Sequence, residues 1–405
     1  MSSHDGRHLM AGLTLKFIHS ERMDMASNNG RVNKAASAVG LEVTKQYNWS
    51  VLWSFHTAWD QPLTIKRKRE TTDGGKGQYV INHIPGTIRL ASKSHLPSFM
   101  KSVGIASTTP ITYLMPEDID NFSSAVAKNG IFDQHGLPVW LLKKKTHRGV
   151  RALTNASREY LANEKQMMVQ RRVHPLLLRG LRRSFDIGIY VLVSSIKPLR
   201  VYVFEKALVR ICEKEYPTSA AGFDDPATFV ISKYTPIWQL PFFYPDLAKC
   251  EQSAACALRR ALDSQGHSGA GLFKEMEGVV MKLLGQMQPS SIAGARRMEF
   301  APEAMFELFR FDFMVDSSAR PILTEVNFSP NLVGAHPEDE RTKDELLRDT
   351  LRIVTRRLQM PMPKSATAEE VGASELSVLG SFRKMEIPNN ERNEHPHEQM
   401  PEILR

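Results

Sequence analysis

A mixed α/β (α+β) architecture built from several subdomains is what this sequence predicts, on three observations. Paired β-rich runs separated by turn residues occur twice, at 185–193 with 200–205 and at 306–315 with 321–326. Helical apolar spacing recurs at 254–262, 272–287 and 344–358. The length, 405 residues, is too great for one small module and implies two or three subdomains around a sizeable core. With 42% hydrophobic and 24% charged residues, wholesale disorder is excluded.

Taken in order, residues 1–46 are polar and Asn/Ser-rich, with one helix expected around 33–39. The run 49–55 (WSVLWSF) alternates bulky apolar residues and reads as a buried strand. A basic knot, Lys66-Arg67-Lys68-Arg69, precedes Asp73-Gly74-Gly75-Lys76-Gly77, which lacks the spacing of a phosphate-binding P-loop and reads as a surface loop. A helix is expected over 95–103, a strand over 112–115, and a helix start at Pro116-Glu117-Asp118. Residues 47–135 therefore form one small α/β unit. Strands follow at 139–142 and at 167–169, the latter ending at Gln170. The turns of the two hairpins fall at 194–199 and 316–319. After Pro361 the chain becomes Glu/Pro/Asn/Ser-rich with few aromatics and is expected to be disordered, His395 and His397 included. The divisions expected are thus 1–46, 47–135, 136–183, 184–360 and 361–405.

Three cysteines, Cys212, Cys250 and Cys256, are too few for a disulfide framework; they read as free thiols in a reducing compartment. No run approaches the ~18 apolar residues of a membrane span. Lys16 interrupts the one apolar N-terminal stretch, and Asp5, Glu21 and Asp24 come early, against a leader peptide. The expectation is a cytoplasmic chain.

The net charge of +9 is unevenly distributed. Between Lys143 and Arg183 there are 12 basic residues and two acids, a net of +10 in 41 residues. Such a field steers acidic partners. Nucleic acid is not the favoured one, because Tyr160 is the only aromatic in that stretch, whereas single-strand binders interleave stacking rings with cations.

The strongest chemistry lies in 306–332, FELFRFDFMVDSSARPILTEVNFSPNL. The odd positions from Phe309 to Val315 are apolar and share one face, so Asp312 points to the other. Glu325 and Asn327, two apart, project together. If Asp312 pairs with Glu325, the midpoint falls between Ser318 and Ala319, inside the turn. Two carboxylates and an amide oxygen would then converge. Facing carboxylates repel, so the set suits a hard cation such as Mg²⁺ held jointly with phosphates; the alternative is a solvated hairpin whose acids face water.

Together with an ordered series of further motifs, this segment resembles the tubulin tyrosine ligase-like family of ATP-grasp ligases. The motifs are 79–86 (YVINHIPG), 139–143 (VWLLK), 169–178 (VQRRVHPLLL), 184–193 (SFDIGIYVLV), 198–204 (PLRVYVF), 208–210 (LVR) and 306–332. The resemblance runs from about residue 49 to about 358. It implies an ATP-grasp fold in which two α+β lobes sandwich ATP, with a small N-terminal α/β domain. It implies a carboxylate–amine ligase that adds glutamate to acidic tubulin tails through an acyl phosphate, a cytoskeleton-associated location, and ATP and Mg²⁺ as requirements. Asp312, Glu325 and Asn327 would be the Mg²⁺ ligands. Lys143 would reach the α/β-phosphates, Gln170, Arg171, Arg172 and Val173 would hold the adenine, Asp186 would lie near the phosphates, and Arg210 would bind the acidic substrate.

Two positions depart from the family pattern. Near 185 that pattern reads K-F-D-[IL]-R, and this chain has Ser184-Phe185-Asp186-Ile187-Gly188, so two cations are absent. The phosphate-covering loop is shortened to KKKTHRGVRAL. Lys144, Lys145, Arg148, Arg182 and Arg183 are the basic residues in position to make up the charge. The departures also admit a second reading, an ATP-grasp scaffold that binds microtubules or another acidic partner without ligation.

Overall fold

A computed structural model describes residues 13–18, 24–54, 60–70, 78–145, 149–231, 234–359 and 368–386. The chain begins with β1 (Thr14–Ile18), α1 (Asp24–Val39), β2 (Glu42–Val43), β3 (Val51–Ser54), α2 (Asp60–Glu70), β4 (Val80–Asn82), α3 (Thr87–Ala91) and α4 (Leu96–Ser102). Next come β5 (Thr112–Leu114), α5 (Ile119–Asn129), β6 (Trp140–Lys144), β7 (Val150–Ala152), α6 (Arg158–Ala162) and β8 (Met167–Arg171). The remainder is β9 (Phe185–Ile196), β10 (Leu199–Phe204), β11 (Leu208–Cys212), β12 (Tyr234–Pro236), α7 (Tyr244–Lys249), α8 (Ala254–Asp263), α9 (Gly269–Arg297), β13 (Met305–Val315), β14 (Pro321–Asn327), α10 (Pro337–Gln359), α11 (Ala368–Leu376) and β15 (Phe382–Lys384).

These strands form two sheets. The larger runs β12-β11-β9-β13-β4-β3-β1-β2, with β14 on β13, β10 on β9 and β15 on β10. Its two longest strands each serve two neighbours along one edge. β13 takes β4 in parallel at Met305 and Phe306 and β14 antiparallel from Arg310 onward. β9 takes β11 along 185–188 and β10 along 191–196. The smaller sheet, β5-β8-β6-β7, is wholly antiparallel.

Both faces of the large sheet are buried along its centre, and the period of two sorts the side chains. Phe185, Ile187, Ile189, Val191 and Val193 of β9, with Phe309, Phe311, Phe313 and Val315 of β13, pack against α8 and α9. Tyr190 and Leu192, with Phe306 and Leu308, pack on the other face under α1 and α10. The small sheet has its own core, in which Phe122, Trp140, Leu142 and Val169 meet. Helix starts follow local chemistry: Ser253 and Ser268 accept hydrogen bonds from Cys256 N and Gly271 N at the heads of α8 and α9. In α10 the acids Glu338, Asp339 and Glu340 occupy the first turn and Arg356 and Arg357 the last, matching the helix dipole.

Several expectations are corrected. The polar segment before residue 46 is part of the large sheet: β1 runs parallel to β3 with Leu15 opposite Val51, and the helix starts at Asp24 instead of near 33. Val32, Ala35, Ala36 and Val39 form the buried stripe that docks it. The basic knot at 66–69 lies within α2, where Arg69 Nε donates to the Trp49 carbonyl at 2.7 Å. The division expected at 135 falls inside one core, because Met115, Ile119 and Phe122 pack with Trp140 and Val169. The region after Pro361 is not wholly disordered, since α11 and β15 close on β10. Cys250 and Cys256 are joined in a disulfide, not free thiols. Glu251 and Gln252, both left-handed at φ 49° and 66°, fold the chain back and bring the two Cα atoms to 5.7 Å, and Cys212 alone is a buried free thiol. The loop at 73–77, residues 146–148 and the histidines at 395 and 397 lie outside the described residues.

Candidate active site

The face of the large sheet that is apolar around Leu192 and Leu308 turns polar two residues further along each strand. Cross-strand registry arranges these positions in rows. Arg210 of β11 lies opposite Asp186 of β9, which lies opposite Met314 of β13. In the next row Leu208, Gly188, Asp312 and Glu325 stand side by side across β11, β9, β13 and β14. Tyr190, Arg310 and Asn327 make the third. The Asp312–Glu325 pairing is the one inferred from the midpoint of the hairpin. A bulge follows it, with Phe313 opposite Leu323, and the extra residue, Thr324, donates its hydroxyl to the Asp312 carbonyl at 2.9 Å.

The small sheet stands over this polar face and leaves a cleft of about 160 Å³. Of the residues singled out by sequence, Lys143, Gln170, Arg171, Arg172, Val173, Asp186, Arg210, Asp312 and Glu325 line it. Asn327 does not, but its side-chain amide donates to Asp312 Oδ2 at 3.1 Å. Lys143 donates to Gln170 Oε1, and Gln170 Nε2 donates to Thr112 Oγ1 at 2.9 Å. Burial, helped by the neighbouring Lys93 and opposed by Glu325, pushes the Lys143 ammonium down to about 8. The Arg172 guanidinium is occupied structurally: it donates to the carbonyl of Pro138, to Tyr216 Oη at 2.8 Å and to Asp133 Oδ2 at 2.8 Å. Its contribution to the cleft is therefore positional, holding the segment that joins the lobes.

On the floor, charges alternate in a chain. Arg210 donates two hydrogen bonds to Asp186, at 2.8 and 2.6 Å, and its guanidinium lies 3.0 Å from Asp312 Oδ2. Arg310 donates two to Asp312, at 2.7 and 2.9 Å. Burial pushes the Asp186 carboxyl up, against the pull of Arg210. Burial acts on Asp312 in the same direction, but Arg210 and Arg310 together overcome it and hold that carboxyl below its usual value. Glu325 sits at the mouth, 3.6 Å from Lys93 Nζ.

Two cations here were missed from sequence. Arg310 shares the parity of Asp312, two residues away, so the spacing that placed the aspartate also places the arginine. Lys93 carries no local signal, because it reaches the site from the α3–α4 connection. The basic residues expected to make up the missing charge lie elsewhere. Lys145 Nζ donates to the Met115 carbonyl at 3.1 Å and to Glu117 at 3.3 Å, Arg182 pairs with Glu215 at 3.5 Å, and Lys144 and Arg183 do not line the cleft. Arg148 lies outside the described residues.

Two α+β lobes closing a cleft that carries a lysine on one sheet and paired carboxylates on the other define an ATP-grasp-like protein. Residues 72–365 match the tubulin-tyrosine ligase family, and the chain belongs to it. It is 27% identical over 300 residues to "Probable tubulin polyglutamylase ttll-15" of Caenorhabditis elegans, covering 73% of this chain and 54% of that protein. It is 26% identical over 287 residues to "Tubulin monoglutamylase TTLL4" of Homo sapiens, covering 67% and 23%. It is 25% identical over 292 residues to "Probable beta-tubulin polyglutamylase" of Tetrahymena thermophila, covering 68% and 24%. The chain thus spans about half of the first relative and about a quarter of the other two.

Proposed function

We propose that this chain is an ATP- and Mg²⁺-dependent protein–amino-acid ligase that adds glutamate to the acidic tails of tubulin, acting in the cytoplasm at the cytoskeleton. The observation that carries the reading is the convergence, from six strands of two sheets, of Lys143, Gln170, Asp186, Arg210, Asp312 and Glu325 on one cleft. The names of the relatives supply the substrate class.

The donor set supports the metal. Among the described residues no group of three His, Cys, Asp or Glu side chains converges on one point, so no all-protein cage is present. Two carboxylates on paired positions with an adjoining amide are the partial, hard-oxygen set that Mg²⁺ shares with phosphates. Asp312, Glu325 and Asn327 would hold it. When bound, it would neutralise charge on the phosphates. Lys143 adds a cation from the opposite sheet, and Gln170 orients it. The reaction joins a carboxylate to an amine. A carboxylate oxygen of the tail attacks the γ-phosphorus and ADP leaves. The amine of the incoming amino acid then attacks the acyl carbon, and phosphate departs with the electron pair as the amine proton goes to solvent. Arg210, fixed by Asp186, would hold the acidic substrate.

One observation favours the non-ligating reading. Ser184 is fully buried, and its hydroxyl has no hydrogen-bond partner, so no cation reaches the cleft from that position. Purified protein with tubulin, labelled glutamate, ATP and Mg²⁺ decides between the two. The ligase incorporates label only when both ATP and Mg²⁺ are present, and Asp312→Asn or Glu325→Gln abolishes it. Absence of incorporation across several amino acids and tubulin sources would reject the ligase, and a scaffold would still bind the tails.

A further inference from the structure

Gly188 is the one position in its row without a side chain, and the space above it is filled from another strand. A Cβ built at Gly188 would lie 2.9 Å from Arg310 Cδ and 2.9 Å from Asp312 Oδ1. Arg310 is the cross-strand partner of Tyr190, two residues along β9, so its side chain runs diagonally over the glycine to reach Asp312. There it makes two parallel N–H···O bonds, at 2.7 and 2.9 Å, with both groups almost wholly buried. Asp312 has its remaining contacts with Arg210 and Asn327. Its orientation is therefore set from three directions, of which the fork of Arg310 is the only bidentate one.

We propose that Arg310 is a positioning residue of the active site, admitted by Gly188, and that the two positions form one exchangeable unit. The guanidinium that orients Asp312 enters from β13 because β9 leaves its place vacant. Supplied from β9 instead, with glycine at 310, it would occupy the same space. The functional half of this inference rests on the ligase reading, in which Asp312 holds the metal–nucleotide. The unit also explains how the chain keeps a cation at this point of the face while carrying glycine at 188.

The geometry sets the expected behaviour of each variant. In Arg310→Gly, Asp312 loses its fork and keeps Arg210. In Gly188→Arg, two guanidinium groups compete for one space, and the new Cβ forces Arg310 away. Arg310→Lys keeps the charge but cannot make two parallel bonds. The double exchange, Gly188→Arg with Arg310→Gly, rebuilds the fork from the neighbouring strand.

The test measures each full-length variant by thermal unfolding with and without ATP·Mg²⁺, and by the kcat and KM of glutamate incorporation. The singles, Arg310→Lys included, are expected to weaken ATP·Mg²⁺ at least tenfold and to lower kcat more than they raise KM for glutamate. The double exchange is expected to return within about threefold of the natural chain, a non-additivity that neighbours in one network show and independent sites do not. Additive losses in the double exchange overturn the inference. Recovery of melting temperature without recovery of ATP·Mg²⁺ affinity also overturns it, because it would assign Arg310 to packing alone. Should the natural chain bind ATP·Mg²⁺ but never incorporate an amino acid, the ligase reading fails while the affinity coupling still decides the role of Arg310. Should it bind no ATP·Mg²⁺ at all, both fail.

Discussion

At the scale of single residues, Lys143 ties structure to pH. Its ammonium is pushed down to about 8, by burial first and by Lys93 second. An unfolded lysine keeps its proton to about pH 10.4, so between about 8 and 10.4 the unfolded chain binds more protons and this group adds stability as pH rises. In the proposed ligase, phosphate binding would run the other way, because it needs the protonated form. Affinity for ATP·Mg²⁺ should therefore fall about tenfold per pH unit above pH 8, and Lys143→Arg should flatten that fall, since guanidinium stays charged. Calorimetric titration between pH 7 and 9.5 checks this, and a natural chain as flat as the variant contradicts it. Asp312 and Glu325 were readable because a period of two places them without long-range knowledge, whereas Lys143, one of three adjacent lysines, was singled out only by the family resemblance. The disulfide was not, since two left-handed residues between Cys250 and Cys256 create the proximity, and nothing in Glu251-Gln252 announces that conformation.

Among elements, the least readable pair was α11 and β15. Their segment is rich in glutamate and serine and shows no sustained apolar period, so composition pointed to disorder. What docks it, besides Phe382 packed on Phe204, is a buried acid matched to partners 173–181 residues earlier. Glu375, only 1% exposed, accepts from Ser194 Oγ at 2.9 Å, from Arg200 Nε and Nη2 at 2.9 and 3.1 Å, and from the Tyr202 hydroxyl. Burial and the Glu375 charge raise the Tyr202 phenol, which stays a donor throughout. β15 then pairs along β10 at 202–204 and covers an edge that would otherwise offer unpaired backbone groups. Glu375→Ala leaves Arg200 buried without its counter-charge, and breaking such a pair from one side costs about 3–5 kcal/mol. Chemical denaturation should register that loss, whereas Ala373→Gln, at an exposed position on the same helix, should change stability by less than about 0.5 kcal/mol. Equal effects from the two would mean that α11 does not dock through its acid. The hairpins of β9/β10 and β13/β14 were legible for the opposite reason: turn residues and alternation are local, and the registry follows from them.

For the whole molecule, the lesson concerns where the charge lies. The sequence placed a net of +10 between Lys143 and Arg183 and suggested that it surrounds the nucleotide. Among the described basic residues of that stretch only Lys143, Arg171 and Arg172 line the cleft, while Arg151 pairs with Glu164, Arg158 with Asp120 and Arg182 with Glu215. From outside the stretch, Arg210 of β11 lines the cleft, while Arg310 of β13 and Lys93 of the α3–α4 connection pair with its acids Asp312 and Glu325. The site is thus assembled by topology, and the excess of +9 acts as a field over the surface. These two kinds of electrostatics respond differently to salt. The Debye length shrinks from about 10 Å at 0.1 M to about 3 Å at 1 M, which removes a surface field but leaves buried pairs nearly intact. Binding of a labelled oligoglutamate peptide, followed by fluorescence anisotropy, should therefore weaken at least tenfold over that range. The melting temperature, which depends on the Asp186–Arg210–Asp312–Arg310 chain, should change little. Peptide binding that resists salt would mean that contacts within the cleft, and not the surface field, dominate its affinity, and a melting temperature that collapses with salt would mean the buried chain is open to solvent.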